Sequence, residues 1–285
     1  TNITSNVYTK LPKTTISSPS NYDTMNRRNS SNRGNNQPEI SDSDWESVRS
    51  FQATKIEHKT GIDAVINQLK LYLNKLCDKK FDTIRKDIID YINEECDDIS
   101  DDDKSKIANV IYTLSSANKF YSKIFADLFS ELATLFPWVK DEFVIQHSSV
   151  MSHYDTITYI DPDTDYDGFC EMNKTNEQRR ALSLFLVNLA NIGFINGAEV
   201  IAILDTLSTR IIDTQSDASY KNMNDELVEN VAILYNNVLL TSERKCSNEL
   251  IDVLVSRVNT FATLKAKDFK GLSNKAIFKF MDISE

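Results

Sequence analysis

The side chains best suited to chemistry are few and widely spaced. Cys77, Cys96, Cys170 and Cys246 form no CxxC pair, and His58, His147 and His153 supply no zinc-ligand spacing. Thiols so dispersed read as the reduced cysteines of an intracellular protein. The nearest approach to a metal motif is an aspartate run. With Asp163 in first place, Gly168 falls at the sixth position of a calcium loop. The twelfth position is then Lys174, where a bidentate Glu should sit, and Cys170 takes the eighth. The expectation is a solvated acidic loop. No GxSxG nucleophile elbow is present, and the six glycines are too scattered for a phosphate-cradling loop. The carboxylate pair Glu94-Glu95 falls at what reads as a solvated helix end. Nothing here demands an enzyme, a cofactor or a metal.

Attention therefore shifts to the elements that would position a binding surface. Only 6 Gly and 5 Pro punctuate 285 residues, too few for the closely spaced turns of a β-sandwich or barrel. No window approaches the roughly 18–20 apolar residues of a membrane span, so no membrane is expected as a partner. With 32 Lys and Arg against 42 Asp and Glu, the net charge of −10 argues against a general nucleic-acid binder. The charge is uneven: residues 1–50 carry six basic and five acidic groups, leaving 26 and 37 for residues 51–285. The opening Thr1-Asn2-Ile3 has neither an initiator Met nor an apolar signal region, as expected of a fragment of something longer.

Residues 1–40, rich in Ser, Thr, Asn, Pro and Arg, hold too few apolar groups to offset ordering entropy and read as a disordered tail. The run from Arg27 to Arg33 reads as solvated linker; RNA contact or phosphorylation at Ser30 or Ser31 is the alternative. Residues 41–60 read as a partner-binding linker around Trp45, an aromatic with no core of its own. Docking back on its own domain is the other reading.

From Gly61 onward, apolar residues recur at helical spacing. Ile62, Val65, Ile66, Leu69, Leu73 and Leu76 mark a first helix, and Phe81, Ile84, Ile88, Ile89 and Ile92 a second. Asp101–Asp103 open a third, where carboxylates favour the positive end of the helix dipole. A fourth runs from Phe120 to Phe136 and a fifth from Val139 to about His153, followed by an irregular acidic loop at 155–174. A sixth continues to Gly193, Asn196-Gly197 makes a turn, and a seventh covers Ala198 to Ile212. The last three span Asn224–Leu240, Ser247–Leu264 and Asn274–Ile283. Ten helices joined by short turns make about five antiparallel hairpins. Each hides its apolar face on the next, the logic of an all-α solenoid, at a HEAT-type period of roughly 40–47 residues.

Several of these stretches carry a resemblance. Leu73-Asn74-Lys75-Leu76-Cys77-Asp78-Lys79-Lys80-Phe81-Asp82-Thr83-Ile84 looks like the LNKLTxxxFDxI signature of the middle domain of eukaryotic translation initiation factor 4 gamma. Phe120–Leu128, Gln178-Arg179-Arg180-Ala181-Leu182 and Leu272–Asp282 are similar to three further segments of that family, and Val139–His153 sits where its fifth helix precedes a variable acidic loop. The likeness covers about residues 60–285. After Arg180 the family usually continues with a basic residue and FIGELF, whereas this chain reads Leu184-Phe185-Leu186-Val187-Asn188-Leu189-Ala190-Asn191.

The resemblance implies a cytoplasmic, non-catalytic scaffold of five HEAT hairpins, residues 61–285, that binds and activates a DEAD-box RNA helicase of initiation factor 4A type on mRNA. It implies helicase contacts at Trp45, Arg179, Arg180, Asn191 and Phe194, and a cap-binding protein engaged through a region outside this chain. The family's cap-protein ligand is not found in the tail; Tyr235 with Leu240 comes nearest, but Tyr235 reads as core. Two other readings stand beside this one. The same fold serves middle-domain scaffolds in splicing, nonsense-mediated decay and poly(A)-binding-protein partners. A directly RNA-binding solenoid would use Lys265, Lys267, Lys270, Lys275 and Lys279.

Overall fold

A computed structural model describes residues 60–245 and 249–284. Trp45, the disordered-tail assignment for residues 1–40 and most of the 41–60 linker lie outside the described residues. What is described is helical, with no strand among those residues. Twelve α-helices follow in order: α1 Ile62–Leu73, α2 Phe81–Glu95, α3 Asp101–Ser116, α4 Ser122–Leu135, α5 Pro137–Ser148 and α6 Val150–Asp155; then α7 Tyr166–Asn191, α8 Gly197–Thr214, α9 Lys221–Leu234, α10 Asn237–Lys245, α11 Glu249–Thr263 and α12 Asn274–Ile283.

Local chemistry fixes several of the starts. Ser100 accepts a bond from the Asp103 amide at 3.2 Å, and Asp101–Asp103 occupy the first turn of α3. Asn196 caps α8 through the Ala198 amide, and Ser273 caps α12 through the Ala276 amide. Pro137 opens α5, where its missing N–H costs nothing.

The packing proceeds along the chain. Each helix lies mainly against its sequence neighbour and the helix one or two further on: α1 on α2 and α3, α3 on α4 and α5, α4 on α7, α7 on α8 and α9, and α9 on α12. This arrangement is compatible with an α-solenoid. Buried apolar side chains from every helix join one continuous core. Part of it is an aromatic cluster. The Phe129 ring of α4 meets Phe185 of α7 edge-on at 5.6 Å, and Tyr112 of α3 and Phe143 of α5 lie within about 6 Å of it. Edge-to-face pairs of this kind add roughly 0.5–1.5 kcal/mol beyond area burial.

Three boundaries differ from the periodic pattern. The fifth expected helix breaks at Ser149 into α5 and α6, where Ser148 and Ser149 hydroxyls bond the carbonyls of Ile145 and Gln146 at 2.7 and 3.0 Å. The eighth breaks at Tyr235, whose backbone leaves the helical region, and Asn236 accepts from the Leu239 amide to start α10. The acidic loop is shorter than expected, because α7 already begins at Tyr166: Asp165 caps it by accepting from the Gly168 amide at 2.9 Å. Tyr235 is buried, as its place on an apolar face requires, and Trp138 packs at the edge of the core beside Phe136.

Candidate functional site

The described residues of interest fall in three places. The first is the turn from α7 to α8. Gly193 adopts a positive φ of 78°, its amide bonds Ala190 O at 3.0 Å, and the Phe194 amide bonds Leu189 O at 2.9 Å. This pair of bonds is a Schellman motif, which needs a residue free to take the left-handed region. It aims Phe194 back at the bundle, where the ring meets Phe143 at 5.1 Å and Phe129 at 5.9 Å. The exposed part of Phe194 lines a groove of about 400 Å³ with Lys140, Val144, His147, Asn196 and Glu199. Val144 in its lining is 58% exposed, and Ile192, two residues before Phe194, is 40% exposed. Asn191 is exposed one turn earlier.

In this groove His147 stacks on Phe143 and its Nε2 lies 2.7 Å from Glu199 Oε2, joining α5 to α8. A His–carboxylate pair can move protons, but no hydroxyl or thiol here is poised for attack. Ser148 Oγ is spent on Ile145 O; elsewhere, Cys96, which follows the last residue of α2, is buried, its thiol pushed up to about 11 by burial and by Glu95. The apolar lining, rimmed by charges, suits recognition of another surface.

The second place is a buried polar network on α7. Arg179 is turned inward and is 4% exposed. Its Nε donates to His153 O at 2.6 Å and its Nη1 to Asn176 Oδ1 at 2.5 Å. Arg180, on the adjacent face, grips both oxygens of buried Glu226 from α9 and donates to Glu177 at 2.8 Å. Asn230 donates to Glu226 Oε1 and accepts from Ser183, which bonds the Tyr154 hydroxyl. Burial lifts the Glu226 carboxyl above its ordinary range against the pull of Arg180, Asn230 and Arg179. Breaking such a network by removing one partner leaves an uncompensated buried charge. Arg179 therefore presents no surface to a docked partner, and Arg180 only an edge.

The third place is the C-terminal lysine group. Lys275 and Lys279 lie 3.1 Å from the two carboxylate oxygens of Glu229 on α9. Burial of Glu229 works to raise its pKa, but those two lysines hold it below the usual range. Lys265, Lys267 and Lys270 are exposed in the connection from α11 to α12. The structure thus separates the five candidate lysines into two roles. Asn191 and Phe194 both lie at the α7–α8 turn, whereas Arg179 and Arg180 belong to the network with Glu226.

Glu142, Ser105, Asn109 and Gln146 form a seam the sequence did not reveal. Glu142 is buried on α5, and its carboxylate accepts from Ser105 and Asn109 of α3 at 2.9 and 3.1 Å and from Gln146 at 2.8 Å. The only available signal was the i,i+4 spacing within each helix. In the aspartate run, Asp161 accepts from the Asp163 amide and Asp165 caps α7. Among the described residues no three His, Cys, Asp or Glu side chains converge to hold a metal ion, and no helix is long and apolar enough to cross a membrane. No protein-family model and no curated protein matches this sequence.

Proposed function

We propose that this chain is a non-catalytic translation-initiation scaffold, with HEAT-type hairpins, that docks a DEAD-box RNA helicase of initiation factor 4A type on mRNA. The observation that carries the reading is the exposed apolar groove at the α7–α8 turn, set on a stack of helices whose LNKL, RR and closing segments resemble the initiation factor 4 gamma middle domain. Rigidity supports it too. Phe194 is anchored by a Schellman turn and an aromatic cluster, so a partner meets a preorganised surface and less ordering entropy opposes binding. A scaffold that grips two mobile lobes raises the effective concentration of one at the other, which is how it would speed ATP turnover.

On this reading Trp45, Asn191 and Phe194 contact the helicase, Arg180 contributes at its edge, and Arg179 acts only by holding α7 in place. The acidic body favours basic patches on the partner, mainly through on-rate and partner choice. A cap-binding protein would join through sequence outside this chain, and the setting would be cytoplasmic. Co-purification with a DEAD-box helicase from the same source tests the proposal. Capture and stimulation of RNA-dependent ATPase support it, and absence of both sinks it.

A second reading, direct RNA binding, is favoured by one observation: Lys265, Lys267 and Lys270 are exposed within six residues. RNA affinity that falls steeply with salt and drops on replacing these three would favour it.

A further inference from the structure

Helix α12 packs on α9 and α11 and buries Ala276, Ile277 and Phe280. The Phe280 ring stacks on Phe261 of α11 at 4.5 Å, which anchors the helix. Its outward side is apolar as well: Phe278 is 59% exposed and Met281 48%. Three residues apart on a helix, these two share one face. An exposed aromatic beside an exposed methionine has the composition of an interface centre rather than of a solvated surface.

The charges beside this apolar pair are self-complementary. Lys275 and Asp282 are seven residues apart, so they lie two turns, about 10.5 Å, from each other on one flank of the helix. Phe278 falls between them. The Lys275 side chain is 59% exposed, and its partner Glu229 is also held by Lys279 at 3.1 Å. Lys275 can therefore turn outward without leaving Glu229 unpaired. Asp282 is exposed and enters no ion pair among the described residues.

We propose that this face of α12 docks antiparallel against α12 of a second copy of this chain. A two-fold axis beside Phe278 sets Lys275 of each copy level with Asp282 of the other, on the same side of the pair. The two Phe278 rings then meet at the centre, with Met281 packed beside them. A parallel arrangement would set Lys275 against Lys275 and Asp282 against Asp282, and like-charge repulsion opposes it. One helix face is a small contact, so the dimer is weak and forms with rising concentration. This inference does not rest on the helicase reading.

Sedimentation velocity of the whole chain from about 1 to 300 μM provides the test, with a reversible monomer–dimer equilibrium as the expected result. A two-fold interface holds every residue twice, so each substitution acts twice. Phe278→Ser should weaken dimerisation by about tenfold or more. Its helical circular dichroism and low-concentration melting temperature should stay unchanged, because the ring is exposed. Lys275→Glu and Asp282→Lys, each alone, place like charges opposite one another and should each weaken dimerisation by about tenfold. An equimolar mixture of those two variants should recover the affinity of the parent chain, since opposite charges then face each other at both contacts. A parent chain that stays monomeric across the whole range overturns the proposal. Dimerisation unaffected by Phe278→Ser overturns it too, as does a mixture that associates no better than its components.

Discussion

At the scale of single residues, Gly193, Phe194 and Glu142 separate conformational from electrostatic causes. Gly193 has open space where a Cβ would stand but a φ of +78°. Gly193→Ala should therefore destabilise by about 1 kcal/mol through backbone strain alone, measured as a small shift in denaturant midpoint with an unchanged slope. Phe194→Ala removes half-buried aromatic contacts with Phe129 and Phe143 and should cost about 1.5–3 kcal/mol. Glu142 gives a pH signature. Burial acts to raise its pKa, but hydrogen bonds from Gln146, Asn109 and Ser105 outweigh burial and hold it below the usual range. Its stabilising contribution is thus complete above the unfolded value of about 4.3 and is lost as pH falls through the lower folded value. Glu142→Gln should flatten that acid-side loss in chemical denaturation across pH 2–6; an unchanged slope would show that the seam titrates no differently from unfolded chain.

At the scale of elements, the connection from α11 to α12 packs closely against backbone. A side chain added at Gly271 would meet Thr214 O at 2.3 Å and Asp217 O at 2.7 Å. The Gly271 amide bonds Gln215 O, and its carbonyl accepts from Asn224 of α9, each at 2.8 Å. Gly271→Ala should cost more than about 2 kcal/mol, read as a drop in melting temperature larger than that of Gly193→Ala. How legible these elements were in the sequence depended on range. Apolar periodicity marked helix faces well, because Leu69, Leu73, Ile88 and Ile92 are all buried at their expected registers. Breaks at Ser149 and Tyr235 were invisible to it, since short polar-to-backbone bonds interrupt a helix without disturbing its apolar stripe. The Asp165–Gly168 start of α7 was hidden because glycine and clustered aspartates read as loop, although the same aspartate is a strong N-cap. Of the candidate site, the Arg179-Arg180 pair was visible as a motif but not its direction. Adjacent residues on a helix point about 100° apart, and the partners that fix the two directions lie far off in the chain: His153 O, 26 residues from Arg179, and Glu226, 46 residues from Arg180.

At the scale of the whole molecule, a helical stack carries an exposed groove and, on the proposed reading, a helicase client. The acidic surface and the anchored Phe194 act on different quantities: charge on the rate of encounter, and the apolar groove on residence time. Raising salt should slow association with the helicase more than it speeds dissociation, measurable by surface plasmon resonance. A substitution at the groove should do the reverse; Val144→Asp, at an exposed position, would raise the dissociation rate without changing the fold. Trp45→Ala should weaken binding while leaving the helical circular dichroism intact, and an unchanged affinity would reject its anchor role. The measurement that bears most directly on the scaffold role is the RNA-dependent ATPase of a DEAD-box helicase from the same source, with and without this chain. A helicase-docking scaffold should give a saturable rise in turnover that Val144→Asp diminishes. An ATPase unaffected by the chain at concentrations well above those used for capture would contradict it.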